Sequence, residues 1–199
     1  MIALAALELT LFHDGRNAIA GWAKSGAAEH PGGLWLPVED NHRCNCLLWD
    51  EEDLARRRKV PDAEIAGNKR AIDGHNQRRN DAIERIDEQL LRHFAEVKLK
   101  PDSRLNSETP GAMIDRLSIL SLKIHHMRLQ TLRSDVAAAH VENCRLKLNR
   151  LNEQRSDLAA CLDRLLAECA RGESFFKIYR QFKMYNDAAL NPAMYGEQR

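Results

Sequence analysis

Apolar side chains recur at alternating steps of three and four residues between Ala137 and Cys169, and this spacing limits the fold more than any other feature of the sequence. Side chains at these steps share one face of an α-helix. The positions are Ala137, Val141, Cys144, Leu148, Leu151, Arg155, Leu158, Leu162, Leu165 and Cys169. Nine of these ten can pack as the seam of a helical bundle, so the chain must supply other long helices to cover them.

Few residues can interrupt those helices, because the sequence has only six prolines and ten glycines. We predict a first helix to about Lys24, a loop over 25–40 and a second helix from about Asn41 to Lys59. Pro61 and Asp62 start a third helix, which would be roughly 50 Å long if it runs to about residue 97. The remaining signals are Thr109-Pro110 opening helix four, Ser134-Asp135 opening helix five and Gly172 ending it.

No segment shows the sustained two-residue alternation of a half-buried strand, so no sheet is expected. We predict an all-α fold, a single-domain bundle of long antiparallel helices with a short N-terminal helix and a C-terminal helix plus tail. Within this one domain, residues 1–40 form the N-terminal helix and loop, and residues 41–199 form the helical bundle.

The charge of the chain is nearly balanced, with 30 Lys and Arg against 29 Asp and Glu. Without a general basic field, nucleic acid is an unlikely partner, and charges interrupt the apolar stretches too often for a membrane span. The five cysteines are an odd number at spacings that favour packing over cross-linking. A cytoplasmic location with reduced thiols is therefore expected.

Polar residues interrupt the apolar face of helix three. That face contains Ile65, Ile72, Ile83, Ile86, Leu90, Phe94 and Val97. Asn76 and Arg79 fall inside it, and one edge beside it carries Lys69, Asp73, Asn80, Glu84 and Asp87. Burying an amide and a guanidinium is costly unless partners satisfy them. Two explanations are open: an internal hydrogen-bond network that sets helix register, or a ligand or metal site in the bundle.

Helix two has a mixed face that surrounds a tryptophan with polar groups: His42, Asn45, Trp49, Glu52, Asp53 and Arg56. In one interpretation Trp49 covers helix three, and Glu52 and Arg56 form a weak surface ion pair. In the other, a cleft holds Mg²⁺ through Glu52, Asp53, Glu84 and Asp87, with Lys69, Arg79 or Arg56 on a phosphate.

Helix four is apolar on most sides, so it should be central, with Asp115, Arg116, Ser118 and Lys123 partly buried. Near the C-terminus, aromatic side chains from Phe175 to Tyr185 alternate with basic ones that include Lys183. They could stack on bases, although helical spacing favours docking of a last helix. The candidate ligand-binding residues are thus Lys69, Asp73, Asn76, Arg79, Asn80, Trp49, Asp115, Arg116 and Lys183.

Three blocks of residues, together with the mixed face of helix two, resemble an uncharacterised bacterial family, domain of unknown function 4254. The blocks are Lys69 to Asp73 with Asn76-Gln77 and Arg79 to Asp81, Glu108 to Gly111 with Ile114 to Leu120 and Lys123, and Gln181 to Asp187 with Asn191-Pro192. The chain departs from the family pattern at Ala188, where the family usually has proline. Members are often encoded near glycosyltransferase and cell-envelope polysaccharide genes, which implies a sugar or nucleotide-sugar context.

Two functions remain open from the sequence. The first is binding or hydrolysis of a phosphorylated or nucleotide-sugar ligand at a polar, magnesium-dependent site, in envelope polysaccharide metabolism. The second is a non-catalytic role as a homodimer or other homo-oligomer, or as an adaptor for a glycosyltransferase, in which the same polar residues set helix register. No reaction can be assigned from these residues, so the sequence does not decide whether the protein is an enzyme.

Overall fold

The computed structural model describes residues 4–26, 28–30, 32–180, 184 and 187–196. Six α-helices occur in this part of the chain: α1 (Ala6–Asn17), α2 (Trp35–Leu54), α3 (Asp62–His93), α4 (Pro110–Thr131), α5 (Ala138–Ala170) and α6 (Pro192–Gly196). A 3₁₀ turn (Trp22–Lys24) follows α1, and two short strands, β1 (Arg104–Leu105) and β2 (Ser174–Phe175), pair with each other. The prediction of an all-α helical bundle is confirmed.

The ends of several helices follow the sequence signals. Thr109 caps α4, since its hydroxyl accepts a hydrogen bond from the amide of Ala112, and Pro110 is the first residue of that helix. Gly172 follows the end of α5 with a φ of 67°, the left-handed conformation that glycine adopts without strain. The predicted start of α5 at Ser134 was early, because Ala137 is the residue that precedes the helix.

Helix α2 begins well before the predicted position and also ends earlier. It starts at Trp35 rather than near Asn41, and Pro37 lies in its first turn. A proline is tolerated there because the first amides of a helix have no partner within it. The segment 25–40 is therefore only partly a loop, and the proposed division at residue 40 falls inside α2.

The long helices α2, α3, α4 and α5 form antiparallel hairpins with their neighbours in sequence. The α2–α3 pairing is fixed near one end by a 2.7 Å hydrogen bond from Asn68 to Glu51 and near the other by a 2.8 Å contact between Arg85 and Asp40. As a result α2 and α4 run parallel, and the mixed face of α2 lies against α4.

One hydrophobic core connects all five of the longer helices, so α1 and the start of α2 pack in the same core as the rest. Its members that are buried include Leu4, Ala6, Leu9, Val38, Ile86, Leu90, Ile114, Leu117, Leu162 and Phe176. From Leu151 to Cys169 the predicted seam of α5 faces this core, whereas Ala137 precedes the helix and is exposed. Its one arginine, Arg155, contacts both carboxylate oxygens of Asp14 on α1 at 2.8 Å.

The C-terminal segment differs from the prediction. Instead of a docked helix, β2 runs parallel to β1, with Arg104 opposite Ser174 and Leu105 opposite Phe175. This two-residue pairing also corrects the expectation that the chain has no sheet. Lys183 and most of the family-like block from Gln181 to Asp187 lie outside the described residues. None of the helices in the described part is both long and apolar enough to cross a membrane.

Candidate functional site

Helices α2 and α4 meet through a buried polar network. Asp115 Oδ1 accepts hydrogen bonds from the side-chain amides of Asn41 and Asn45, each at 2.9 Å. Asn45 also donates to Ser118 Oγ at 3.0 Å, and that hydroxyl contacts Nδ1 of His42 at 2.8 Å. All five residues are buried. These mutual hydrogen bonds are what allow so many polar groups at a helix interface.

The local sequence explains why these groups meet. Asn45 lies one turn after Asn41 and His42 on α2, and Asp115 and Ser118 are three residues apart on α4. The mixed face was predicted to pack on another element or to bind a ligand. Its residues His42 and Asn45 pack on α4. Ser118 had no evident partner in the sequence. His42 and Ser118 are both 0% exposed, so their contact holds helices together and presents no nucleophile to solvent.

A second histidine, missed in the sequence, packs on this network. The rings of His13 and His42 lie 4.5 Å apart at an angle of 32°. Burial, with a smaller contribution from Arg155, lowers the pKa of His13 to about 3. Burial and the neighbouring His13 also hold the pKa of His42 well below its usual range. Both imidazoles are therefore neutral at pH 7, which is compatible with their close stacking.

The network opens to solvent at a cleft of about 290 Å³ between α2, α3 and α4. Its lining includes Asn45, Trp49, Glu52, Asp53, Arg56, Arg79 and Ile119. The cleft thus brings together four residues of the predicted site: Trp49, Glu52 and Asp53 from α2 and Arg79 from α3. Glu52 and Arg56 also form the expected ion pair, at 2.7 Å. We call this the α2–α4 cleft.

Arg79 connects the cleft to the buried network. Its Nε lies 3.9 Å from Asp115 Oδ1, too far for a hydrogen bond, and the side chain is 26% exposed. Nε itself is buried and has no hydrogen-bond partner. Within the described part of the chain, the guanidinium makes no hydrogen bond at all, so its remaining donors are available at the cleft. This is unusual for a largely buried arginine, because its donors lose their hydration on folding.

The other candidates for ligand binding do not converge on the cleft. Lys69 and Asp73 are exposed on α3, whereas Asn76 and Asn80 are half-buried. Arg116 is exposed rather than partly buried and pairs with Glu108 at 2.6 Å. The predicted polar edge of α3 is therefore spread along the helix, because a 32-residue helix is far longer than one pocket.

The four predicted metal ligands are divided by the structure. Glu52 and Asp53 line the α2–α4 cleft, whereas Glu84 pairs with Arg180 at 3.1 Å, and Asp87 accepts a 2.6 Å hydrogen bond from the amide of Gly111. In the part of the chain that is described, no group of three or more His, Cys, Asp or Glu side chains could hold a metal ion. The four carboxylates do not form a single site, and binding of Mg²⁺ stays a prediction.

Asp87 instead accepts a hydrogen bond from a backbone amide at the start of α4. It is 2% exposed, and burial raises its pKa to about 6, against the opposing effect of hydrogen bonds from Thr109 and Gly111. A carboxylate at a helix N-terminus accepts from an amide that has no partner within the helix. The family-like sequence Glu108 to Gly111 is accounted for by this junction between α3 and α4.

The fold and the cleft together define a helical-bundle protein with a hydrogen-bonded polar core that opens to solvent beside Trp49 and Arg79. The family model described as "Protein of unknown function (DUF4254)" matches residues 35–178, which is most of the chain. The chain therefore belongs to this family, and the resemblance seen in the sequence is confirmed. No curated protein and no solved structure matches it.

Proposed function

We propose that the protein binds a phosphorylated ligand of the nucleotide-sugar kind in the α2–α4 cleft. The observation that carries the proposal is Arg79, whose guanidinium reaches the cleft and makes no hydrogen bond within the described part of the chain. A phosphate or carboxylate oxygen would satisfy these donors, and charge-assisted bonds of this kind are among the stronger ones in proteins. The resemblance described above supports a role in envelope polysaccharide metabolism.

The rest of the cleft suits the same ligand. Trp49 offers an apolar surface, and the carboxylates Glu52 and Asp53 can accept hydrogen bonds from sugar hydroxyls. Two carboxylates and a ligand phosphate are also a common way of holding Mg²⁺, which keeps several of its waters. Magnesium-dependent binding is thus part of the proposal, with Glu52 and Asp53 as the protein ligands. The proposal is for binding, and no reaction is assigned to these residues.

Isothermal titration with a panel of nucleotide sugars and sugar phosphates, with and without Mg²⁺, tests the proposal. At least one member should bind, and Arg79→Gln should weaken its binding by about tenfold or more, since it removes a charged hydrogen-bond donor. Arg78→Gln is the matched control, because Arg78 is exposed on the same helix and, in the described part, its side chain is hydrogen-bonded only to His75. Equal losses in both variants, or no binding to any member, would contradict the proposal.

A homo-oligomeric or glycosyltransferase-adaptor role is the second candidate, favoured by exposed leucines on α1. Leu7 and Leu11 lie one turn apart and are 67% and 63% exposed. Neighbouring exposed leucines at this spacing are typical of a helix face that packs on a partner. Light scattering on the wild type and on Leu7→Ser/Leu11→Ser tests self-association. A wild-type protein that is strictly monomeric at high concentration would contradict the oligomeric form of this role.

A further inference from the structure

A second concave surface adjoins the α2–α4 cleft on the far side of Trp49. It is a groove of about 520 Å³ between the end of α2 and the α4–α5 hairpin. Trp49 and Asp53 line both the cleft and the groove. The two are therefore neighbours, and one extended ligand could occupy both.

The groove carries a local concentration of positive charge. Lys123 on α4 and Lys147 and Arg150 on α5 line it, and Asp53 is its one carboxylate among the described residues. All three cations are exposed, and none has a carboxylate within ion-pair distance in the described part of the chain. Three cations against one carboxylate give the lining of this groove a net positive charge, which attracts anionic ligands.

One wall of the groove is aromatic. The rings of Trp49 and His126 stack at 4.3 Å with an angle of 7° between them. Burial, and then the neighbouring His125, lower the pKa of His126, which favours the neutral form of the ring. Each ring of this stacked pair covers one face of the other, so a nucleobase can stack only on an outer face of the pair, with its phosphates beside the unpaired cations.

We propose that this groove binds the nucleoside diphosphate half of the ligand, with the base against Trp49 and His126 and the phosphates against Lys123, Lys147 and Arg150. The inference rests on the proposed function, because the sugar half would then extend past Trp49 into the α2–α4 cleft. It adds to that function a defined ligand class, a nucleoside diphosphate, and a second set of binding residues on α4 and α5.

Isothermal titration with UDP, ADP and GDP, which lack the sugar, tests the groove directly. At least one of them should bind the full chain, and Lys147→Gln/Arg150→Gln should weaken that binding by about tenfold or more. The matched control is Arg145→Gln/Arg164→Gln, which removes the same charge from exposed positions on α5 outside the groove. The control should bind as the wild type does. Equal weakening in both double variants would overturn the groove as the site.

Two further ligands separate the two proposals. Inorganic pyrophosphate should bind at least about tenfold more weakly than the best nucleoside diphosphate, because it lacks the base that stacks on Trp49 and His126. Equal affinity would overturn the assignment of a nucleoside ligand. A sugar phosphate that binds in an Arg79-dependent manner, while no nucleoside diphosphate binds, would overturn this inference and leave the proposed function intact. Failure of every ligand would overturn both.

Discussion

Asp115 shows at the scale of one residue how a carboxylate is accommodated inside a helical bundle. Two amides from α2 donate to the same oxygen, and Arg79 lies 3.9 Å from it. The partners thus offset much of the loss of hydration on burial. Asp87 has neutral hydrogen-bond partners too, the amide of Gly111 and the hydroxyl of Thr109, but in the described part of the chain it has no ion pair with an arginine such as Asp115 has with Arg79.

The replacement Asp87→Asn should change how stability depends on pH. The folded-state pKa of about 6 lies above the ordinary value of 3.8, so the folded chain binds the proton more tightly than the unfolded chain. The resulting stabilisation is present below the ordinary value and is lost as the pH rises through the folded-state pKa. Between about pH 4 and about pH 7, the wild type should therefore lose up to about 3 kcal/mol of unfolding free energy relative to the variant.

Urea unfolding of both proteins across this pH range measures the difference. Asp73→Asn is the control, because Asp73 is exposed on the same helix. A wild type that gains stability relative to Asp87→Asn as the pH rises would show that the assigned direction is wrong.

At the scale of the element, α4 begins in close contact with α3. A Cβ added at Gly111 would lie 2.6 Å from the backbone oxygen of Ile83 and 2.8 Å from Asp87 Oδ1. Backbone cannot move aside as a flexible side chain can. The glycine therefore allows the N-terminus of α4 to reach the Asp87 carboxylate.

Gly111→Ala should destabilise the protein by roughly 1–3 kcal/mol, because α4 must shift away from α3. Gly74→Ala is the matched control within α3, where an added Cβ would meet no atom within 4 Å. That change should stabilise the protein by about 0.5–1 kcal/mol, since alanine favours a helix interior. Denaturant midpoints measure both, and a neutral Gly111→Ala would show that the helices are not held at this distance.

At the scale of the whole molecule, α1 closes the bundle by polar contacts as well as by its apolar face. Asp14 accepts from Ser121 on α4 at 2.7 Å and from Arg155 on α5 at 2.8 Å. Asn17 donates to the same serine hydroxyl at 2.8 Å. A single junction therefore joins α1, α4 and α5, and the N-terminal helix is an integral part of the bundle.

A double-mutant cycle with Asp14→Ala and Arg155→Ala should give a coupling energy of about 1–2 kcal/mol, because the Arg155 side chain is only 18% exposed. Asp40 and Arg85 form the control cycle. They also join two helices at 2.8 Å, and Asp40 is as exposed as Asp14, at 37%, but Arg85 is 45% exposed against 18% for Arg155. That coupling should stay below about 1 kcal/mol. Equal couplings would show that burial adds nothing to the Asp14–Arg155 pair.

The sequence by itself determined the helical class, the core-facing seam of α5 and the cap and glycine at two helix ends. These features depend on local periodicity and backbone conformation, which neighbouring residues carry. It also identified the mixed face of α2 and Arg79 on α3 as places where polar groups meet the interior. The predicted start of α2 was too late, because a proline such as Pro37 is common in loops as well as in the first turn of a helix.

Only the tertiary structure decided which polar groups share a site. Periodicity places Glu52 and Glu84 each on a helix face. It does not show which of them reaches the cleft, or that Arg180 pairs with Glu84. Ser118 and His42 are far apart in sequence, and Lys147 and Arg150 look like ordinary surface charges until α4 and α5 form one wall beside Trp49. Such contacts depend on how helices pack side by side, and local spacing carries no information about that arrangement.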